Sequence, residues 1–150
     1  IGVVITSNEI AESFAQGPEF FSTFGVSTLS CLIGKEVLEI IDEEKLQENA
    51  DLMGKKLLGG LNELQDSFPQ IGDVRGMGLF CGVDLVKNRK TREEDPDLCS
   101  YIKNRMRDHR ILMGSEGPKD NVLKIRPPLT IDEEGIDMIL SCLQKIMQEI

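Results

Sequence analysis

Asp73-Val74-Arg75-Gly76-Met77-Gly78-Leu79-Phe80-Cys81-Gly82-Val83-Asp84-Leu85-Val86 follows a long stretch patterned for helices. Glycine costs about 1 kcal/mol in a helix interior, while Val and Phe favour the pleated surface of a sheet. We therefore read strand material at 73–76 and again at 78–86. The spacing Gly-x-Gly-x-x-x-Gly is not a dinucleotide fingerprint, which needs a different interval and a helix directly after it. These glycines instead mark a bulge or a close approach of backbones within a sheet.

Upstream, Leu46, Ala50, Met53, Leu57, Leu61, Leu64 and Phe68 recur in helical steps until Pro69 stops them. Before them, from Ser27, Leu29, Leu32, Ile33, Val37, Ile40 and Ile41 make another helical stripe, followed by Asp42, Glu43 and Glu44. Downstream, the turn-rich stretch Lys87–Pro96 leads to a helix predicted over Asp97–Asp108. Strands are expected at Arg110–Met113 and Asn121–Arg126 around a turn at Gly114–Asp120. After Pro127-Pro128, a capping box of Thr130 and Glu133 opens the last helix. Its stripe is Ile136, Ile139, Leu140, Leu143, Ile146, Met147 and Ile150. The order α, α, β, β, α, β, β, α predicts an α+β fold whose antiparallel sheet is covered on one face by helices.

Residues 1–24 fall outside that unit. Residues 1–6 are β-branched and read as a strand buried on both faces. Ser7 or Asn8 caps a short helix over Glu9–Phe14, and aromatic Phe20, Phe21 and Phe24 follow. This stretch reads as the tail of a neighbouring domain, entered partway, and not as a signal peptide.

The chain has 150 residues, with 17 Lys+Arg against 26 Asp+Glu, a net charge of −9. Binding to nucleic-acid backbones is driven by basic side chains displacing counterions, so no nucleic-acid partner is expected. An anionic membrane surface is disfavoured for the same reason. No apolar run approaches the roughly 20 residues that span a bilayer. Cys31, Cys81, Cys99 and Cys142 are widely spaced and accompany a single His109, so no metal site is predicted. Their thiols are expected to be reduced and mostly buried in an intracellular protein. His109, in the charged run Arg107-Asp108-His109-Arg110, is expected to be exposed, and no catalytic triad is supported.

Two stretches carry candidate chemistry. Ser22-Thr23-Phe24-Gly25-Val26-Ser27-Thr28 places hydroxyls and a glycine before a long helix, whose start offers unpaired N–H groups to an anion. The plainer alternative is a helix cap by Ser27 or Thr28. In Leu123-Lys124-Ile125-Arg126-Pro127-Pro128, side chains two apart share a face of a strand, so Lys124 and Arg126 point together. Paired cations suit a carboxylate or phosphate; the alternative is a solvated strand edge.

Three segments, in order, resemble the class III aminotransferases that use pyridoxal phosphate. Thr23-Phe24-Gly25 resembles their T-[FY]-G-G-N-P element, Asp73–Leu79 their V-R-G-x-G-L strand pair, and Lys124–Leu129 their R-x-x-P-P-L element. The similarity runs along essentially the whole chain. It implies that residues 1–24 end the large pyridoxal-phosphate domain and residues 25–150 form the C-terminal small domain. It also implies that the Schiff-base lysine lies upstream of Ile1. No catalytic residue is then present, and the 150-residue chain alone is expected to be inactive. Thr23, with Ser22 and Gly25, corresponds to the element that holds the cofactor phosphate of the other subunit, which implies a homodimer. Lys124 and Arg126 are the implied substrate-binding residues, for a small-molecule amine, in a mitochondrial or cytoplasmic enzyme.

Two departures stand out. The second glycine and the proline of G-G-N-P are replaced in Gly25-Val26-Ser27-Thr28. The carboxylate-clamping arginine is Lys124. With Gly117-Pro118 and Asn121-Val122-Leu123, that lysine resembles the alanine–glyoxylate aminotransferase 2-like branch, which holds ethanolamine-phosphate and phosphohydroxylysine phospho-lyases. The implied reaction removes the amine's α-proton and expels phosphate. The alternatives are amino transfer from an amino acid to a keto acid such as glyoxylate or pyruvate, and a stand-alone, non-catalytic interaction module.

Overall fold

The computed structural model of the chain describes residues 2–25 and 27–150. Ile1, in the expected N-terminal strand, and Val26, in the stretch after Gly25, lie outside the described residues. The chain divides into two compact units, Ile1–Glu44 and Lys45–Ile150.

The first unit carries α1 (Asn8–Ala15) and α2 (Thr28–Glu43), neither of which buries a residue. The α2 helix forms as its periodicity predicts, yet Leu29, Leu32 and Ile33 remain more than half exposed. The expected N-terminal strand does not form at residues 2–6, which are exposed. A strand exists through hydrogen bonds to a neighbouring strand, and none of the described strands takes these residues as a partner.

The second unit holds the α+β core. Its helices are α3 (Leu46–Ser67), α4 (Pro96–Asp108) and α5 (Glu133–Met147). Its strands are β1 (Ile71–Met77), β2 (Phe80–Asn88), β3 (Glu93–Glu94), β4 (Gly114–Glu116) and β5 (Val122–Ile125). All pairings are antiparallel, in the order β1-β2-β5-β4 with β3 on β2. Alternation sends Cys81, Val83, Leu85, Leu123 and Ile125 to one face, where they are buried. There α3 packs on β1 and β2, α4 packs on β2, β4 and β5, and α5 packs on both helices. Leu57, Leu61, Ile102, Ile136 and Ile146 are fully inaccessible; each such side chain contributes about 1.5–3 kcal/mol of burial. The sheet's other face carries Arg75, Asp84, Glu116 and Lys124 beside Phe80 and Val122, and among the described residues of this unit no helix packs on it.

The glycines of the opening stretch act as close-approach points. Gly78 adopts φ +54° as the first residue of the two-residue loop between Met77 and Phe80, a position that suits glycine. A Cβ on Gly76 would sit 2.6 Å from the Phe80 carbonyl oxygen, and one on Gly54 of α3 would sit 2.3 Å from that of Gly78. The bulge lies elsewhere, where the register shifts between Ile71 and Asp73.

Several boundaries differ from expectation, each for a local reason. No strand forms at Arg110–Met113; β4 begins at Gly114. The amide of Arg110 instead donates to Arg107 (2.8 Å) and that of Ile111 to Met106 (2.9 Å). These bonds close the end of α4, with Arg110 at φ +66°. The Thr130–Glu133 box is not used either. A turn in which Ile131 N–H donates to the Pro128 carbonyl at 3.0 Å delays the helix, and Asp132 Oδ1 caps α5 by accepting from Gly135 N–H at 2.9 Å. Asp95 caps α4 the same way, accepting from Leu98 N–H at 3.0 Å, with Pro96 in the first turn.

Arg89, inside the stretch read as a mere turn, clamps the end of α3. Its guanidinium donates to the carbonyls of Gln65, Phe68 and Ile71, satisfying acceptors that a helix C-terminus leaves open. His109 is not exposed as expected: it is half-buried, and its Nε2 is buried without a partner. All four cysteines are free; Cys81 and Cys99 are buried, Cys142 half-buried and Cys31 exposed. Burial pushes the Cys99 thiol up to about 11.

Candidate functional site

Within the first unit, Ser22, Thr23 and Gly25 come together in one turn. The Gly25 N–H donates to Ser22 Oγ at 3.0 Å. A Cβ on Gly25 would press on Ser22 Oγ at 3.1 Å, so glycine keeps the turn tight. Thr23 and Phe24 are exposed. Ser27 occupies the N-cap position of α2, yet its side chain makes no cap hydrogen bond. The cap alternative is therefore realised in position but not in bonding.

Within the second unit, the open face of the sheet carries two rows of charge. Register places Arg75, Gly82, Lys124 and Gly114 side by side across β1, β2, β5 and β4. The next outward-facing row is Asp73, Asp84, Val122 and Glu116. Cations of the first row reach carboxylates of the second, along the strand or diagonally across it. Arg75 Nη1 lies 2.6 Å from Asp73 Oδ2 and 3.8 Å from Asp84 Oδ2, and Lys124 Nζ contacts Glu116 Oε1. Gly82, between the two cations, has no side chain to fill the gap. Arg75, Gly82, Lys124, Glu116, Phe80 and Val122 help to line an open cavity of about 370 Å³ there.

Arg126 lies one residue past the end of β5 and is exposed, while Leu123 and Ile125 are buried. It therefore continues the outward side of Lys124, as the two-residue period requires. The Lys124 ammonium, and to a smaller degree the Arg126 guanidinium, hold the Glu116 carboxyl below its ordinary range. Sequence reasoning put Lys124 and Arg126 on one side of the strand, although they line different cavities, and it missed Arg75, Gly82 and Glu116 as neighbours of Lys124. The outward alternation of each strand was readable; which residues stand opposite one another was not.

Among the described residues, no group of His, Cys, Asp and Glu could hold a metal ion, and no helix is long and apolar enough to cross a membrane.

Comparison with known proteins gives these features a context. The family Aminotransferase class-III matches residues 1–147. A Drosophila melanogaster protein named alanine–glyoxylate aminotransferase 2-like is 43% identical over 99% of this chain and 31% of its own length. The ethanolamine-phosphate phospho-lyase homolog 1 of Caenorhabditis elegans is 36% identical over 98% of this chain and 32% of its own. Among solved structures, an Arthrobacter phospholyase in complex with phosphoethanolamine is 34% identical, with a TM-score of 0.90 over 97% of this chain and 34% of that one. A Bacillus anthracis aminotransferase, also 34% identical, has a TM-score of 0.86 over 95% and 34%. The chain thus spans about a third of the length of the curated relatives it matches. With the glycine-turned hairpin and the Lys124–Pro128 element in place on an antiparallel sheet, and a family match along nearly every residue, the chain belongs to the class III aminotransferases.

Proposed function

We propose that the complete protein is a homodimeric pyridoxal-phosphate enzyme that acts on a phosphorylated primary amine and releases phosphate. In this reading residues 1–24 end its cofactor domain and residues 25–150 form its C-terminal domain. The observation that carries the choice of substrate is the Arg75–Gly82–Lys124 row: two cations flanking a gap, one of them a compact ammonium. A lysine is a point charge, suited to phosphate, and lacks the planar fork with which arginine grips a carboxylate. The phospho-lyase names of two relatives support the same substrate class.

The donors at Ser22–Gly25 fit the cofactor's phosphate in kind. The Thr23 hydroxyl is exposed. Ser22 accepts through its oxygen from Gly25 and keeps its O–H to donate. The start of α2 is not consumed by its Ser27 side chain. These groups would hold the phosphate of a cofactor bound mainly by the other subunit. When bound, pyridoxal phosphate supplies an electron sink for the substrate carbon that loses its proton. The contribution of Lys124 and Arg126 is to bind the substrate's anionic group and fix its direction.

Thr23→Val in the full-length homodimer should weaken pyridoxal-phosphate binding about tenfold, the scale of one hydrogen bond to a charged group, as measured by equilibrium dialysis. Unchanged affinity would remove Thr23 from the site. The reaction itself is tested by supplying the full-length enzyme with phosphoethanolamine and following inorganic phosphate. Release of phosphate, with KM raised about tenfold by Lys124→Gln, is the expected result. Keto-acid formation from an amino acid and glyoxylate, without phosphate release, would establish the second reading, transamination. That reading is favoured by the name of the 43%-identical relative.

A further inference from the structure

We propose that Glu116 is a specificity-determining residue: it occupies Lys124 as an internal anion, so that only a ligand more highly charged than a carboxylate displaces it. This rests on the proposed role of Lys124 in binding the substrate's anionic group.

The geometry makes Glu116 a competitor and not a bystander. Gly114 stands opposite Lys124 in the register, and with no side chain of its own it leaves room for the lysine stem. A Cβ there would come within 3.1 Å of Lys124 Cε. The stem therefore lies across β4 towards Glu116, whose carboxylate the ammonium contacts. Both residues line the cavity that also contains Arg75. The second cation of the row is likewise engaged, by Asp73 and Asp84. An anion entering this gap therefore meets cations already neutralised, and must part Lys124 from Glu116.

Lys124 and Arg126 both favour the ionised form of Glu116, so the competition persists throughout the neutral range. A monoanionic carboxylate offers Lys124 no more than Glu116 does, and it lacks the advantage of being already in place. A phosphate group carries about −1.5 to −2 charge near neutrality and three acceptor oxygens, so it gains from the exchange. Glu116 thus sets a charge threshold, admitting phosphorylated amines over amino acids that present only a carboxylate.

The test measures dissociation constants of inorganic phosphate and of acetate for the full-length protein by calorimetry. Wild type is compared with Glu116→Gln, Lys124→Gln and the double variant. Glu116→Gln is expected to lower the preference for phosphate over acetate about fivefold, the scale of one exposed ion pair, chiefly by letting acetate in. In the Lys124→Gln background the same change should have no effect on the ratio. If Lys124→Gln weakens phosphate but Glu116→Gln leaves the ratio unchanged, the threshold is refuted and the anion-binding role of Lys124 stands. If Lys124→Gln leaves phosphate binding unchanged, that role and the threshold fall together.

Discussion

Gly54→Ala is expected to destabilise the second unit by about 3 kcal/mol, although alanine is the better helix former by about 1 kcal/mol. The two effects have opposite signs, and the structure decides between them. Gly54 is buried in α3, where a Cβ would lie 2.3 Å from the Gly78 carbonyl oxygen and 2.4 Å from its carbon. Those are backbone atoms of a tight hairpin loop, with Gly78 at φ +54°, so no flexible side chain can swing aside. Relief requires α3 to lift from the β1–β2 turn, loosening the contacts of Met53 and Leu57 beneath it. Gly59 in the same helix is the internal control, because nothing lies within 4 Å of its added Cβ. Gly59→Ala should gain about 0.5–1 kcal/mol. Urea denaturation of both variants checks the pair. A Gly54→Ala protein as stable as wild type would mean that the helix and the turn do not meet as described.

Asn121→Asp should cost about 3 kcal/mol at neutral pH and much less in acid. Asn121 is only 4% exposed. Its amide nitrogen donates to the Asp84 carboxylate and to the Leu85 carbonyl, the latter at 3.1 Å. An aspartate there turns a donor into an acceptor facing two acceptors, one of them charged. The introduced carboxyl can restore a hydrogen bond only by holding its proton, so its pKa in the folded state rises above the unfolded value of about 3.9. A raised folded pKa contributes stability that is complete below the unfolded value and lost as pH rises through the folded one. The deficit against wild type should therefore be small near pH 3 and grow steadily towards pH 7. A shift of about two units sets its size at about 3 kcal/mol. Asn121→Ala, which adds no charge, should lose about 1–2 kcal/mol at every pH in that range. Thermal unfolding from pH 3 to 7 separates the two, and parallel curves would contradict the argument.

What could be read from the chain beforehand follows from how local each cause is. The stripes of α3 and α5 were legible because burial on one face imposes a helical period, and Leu57 and Ile136 are inaccessible as that period demands. The β1–β2 hairpin was legible because Gly76 and Gly78 tolerate what other residues do not. The start of β4 was misjudged because the amides of Arg110 and Ile111 finish α4 before any strand can begin, and helix endings depend on a few dihedral angles, not on hydropathy. The α2 stripe predicted a helix correctly, but periodicity alone does not say whether a face is covered, and Leu29 and Leu32 are exposed. At the candidate site, Lys124 and Arg126 follow from the two-residue period within one strand. Arg75, Gly82 and Glu116 join Lys124 only through register between separate strands, which no single strand encodes.

The clamp made by Arg89 has a practical corollary for anyone reshaping this protein. The segment after β2 looks like an ideal place for an inserted tag or new chain ends, being charged and exposed. Its guanidinium, however, fastens the close of α3 to the beginning of β1, so lengthening the chain beside it would unfasten a helix some twenty residues away. The Gly117–Asp120 corner is closed by its own hydrogen bond, from Asp120 N–H to the Gly117 carbonyl. It is the better point for grafting or circular permutation.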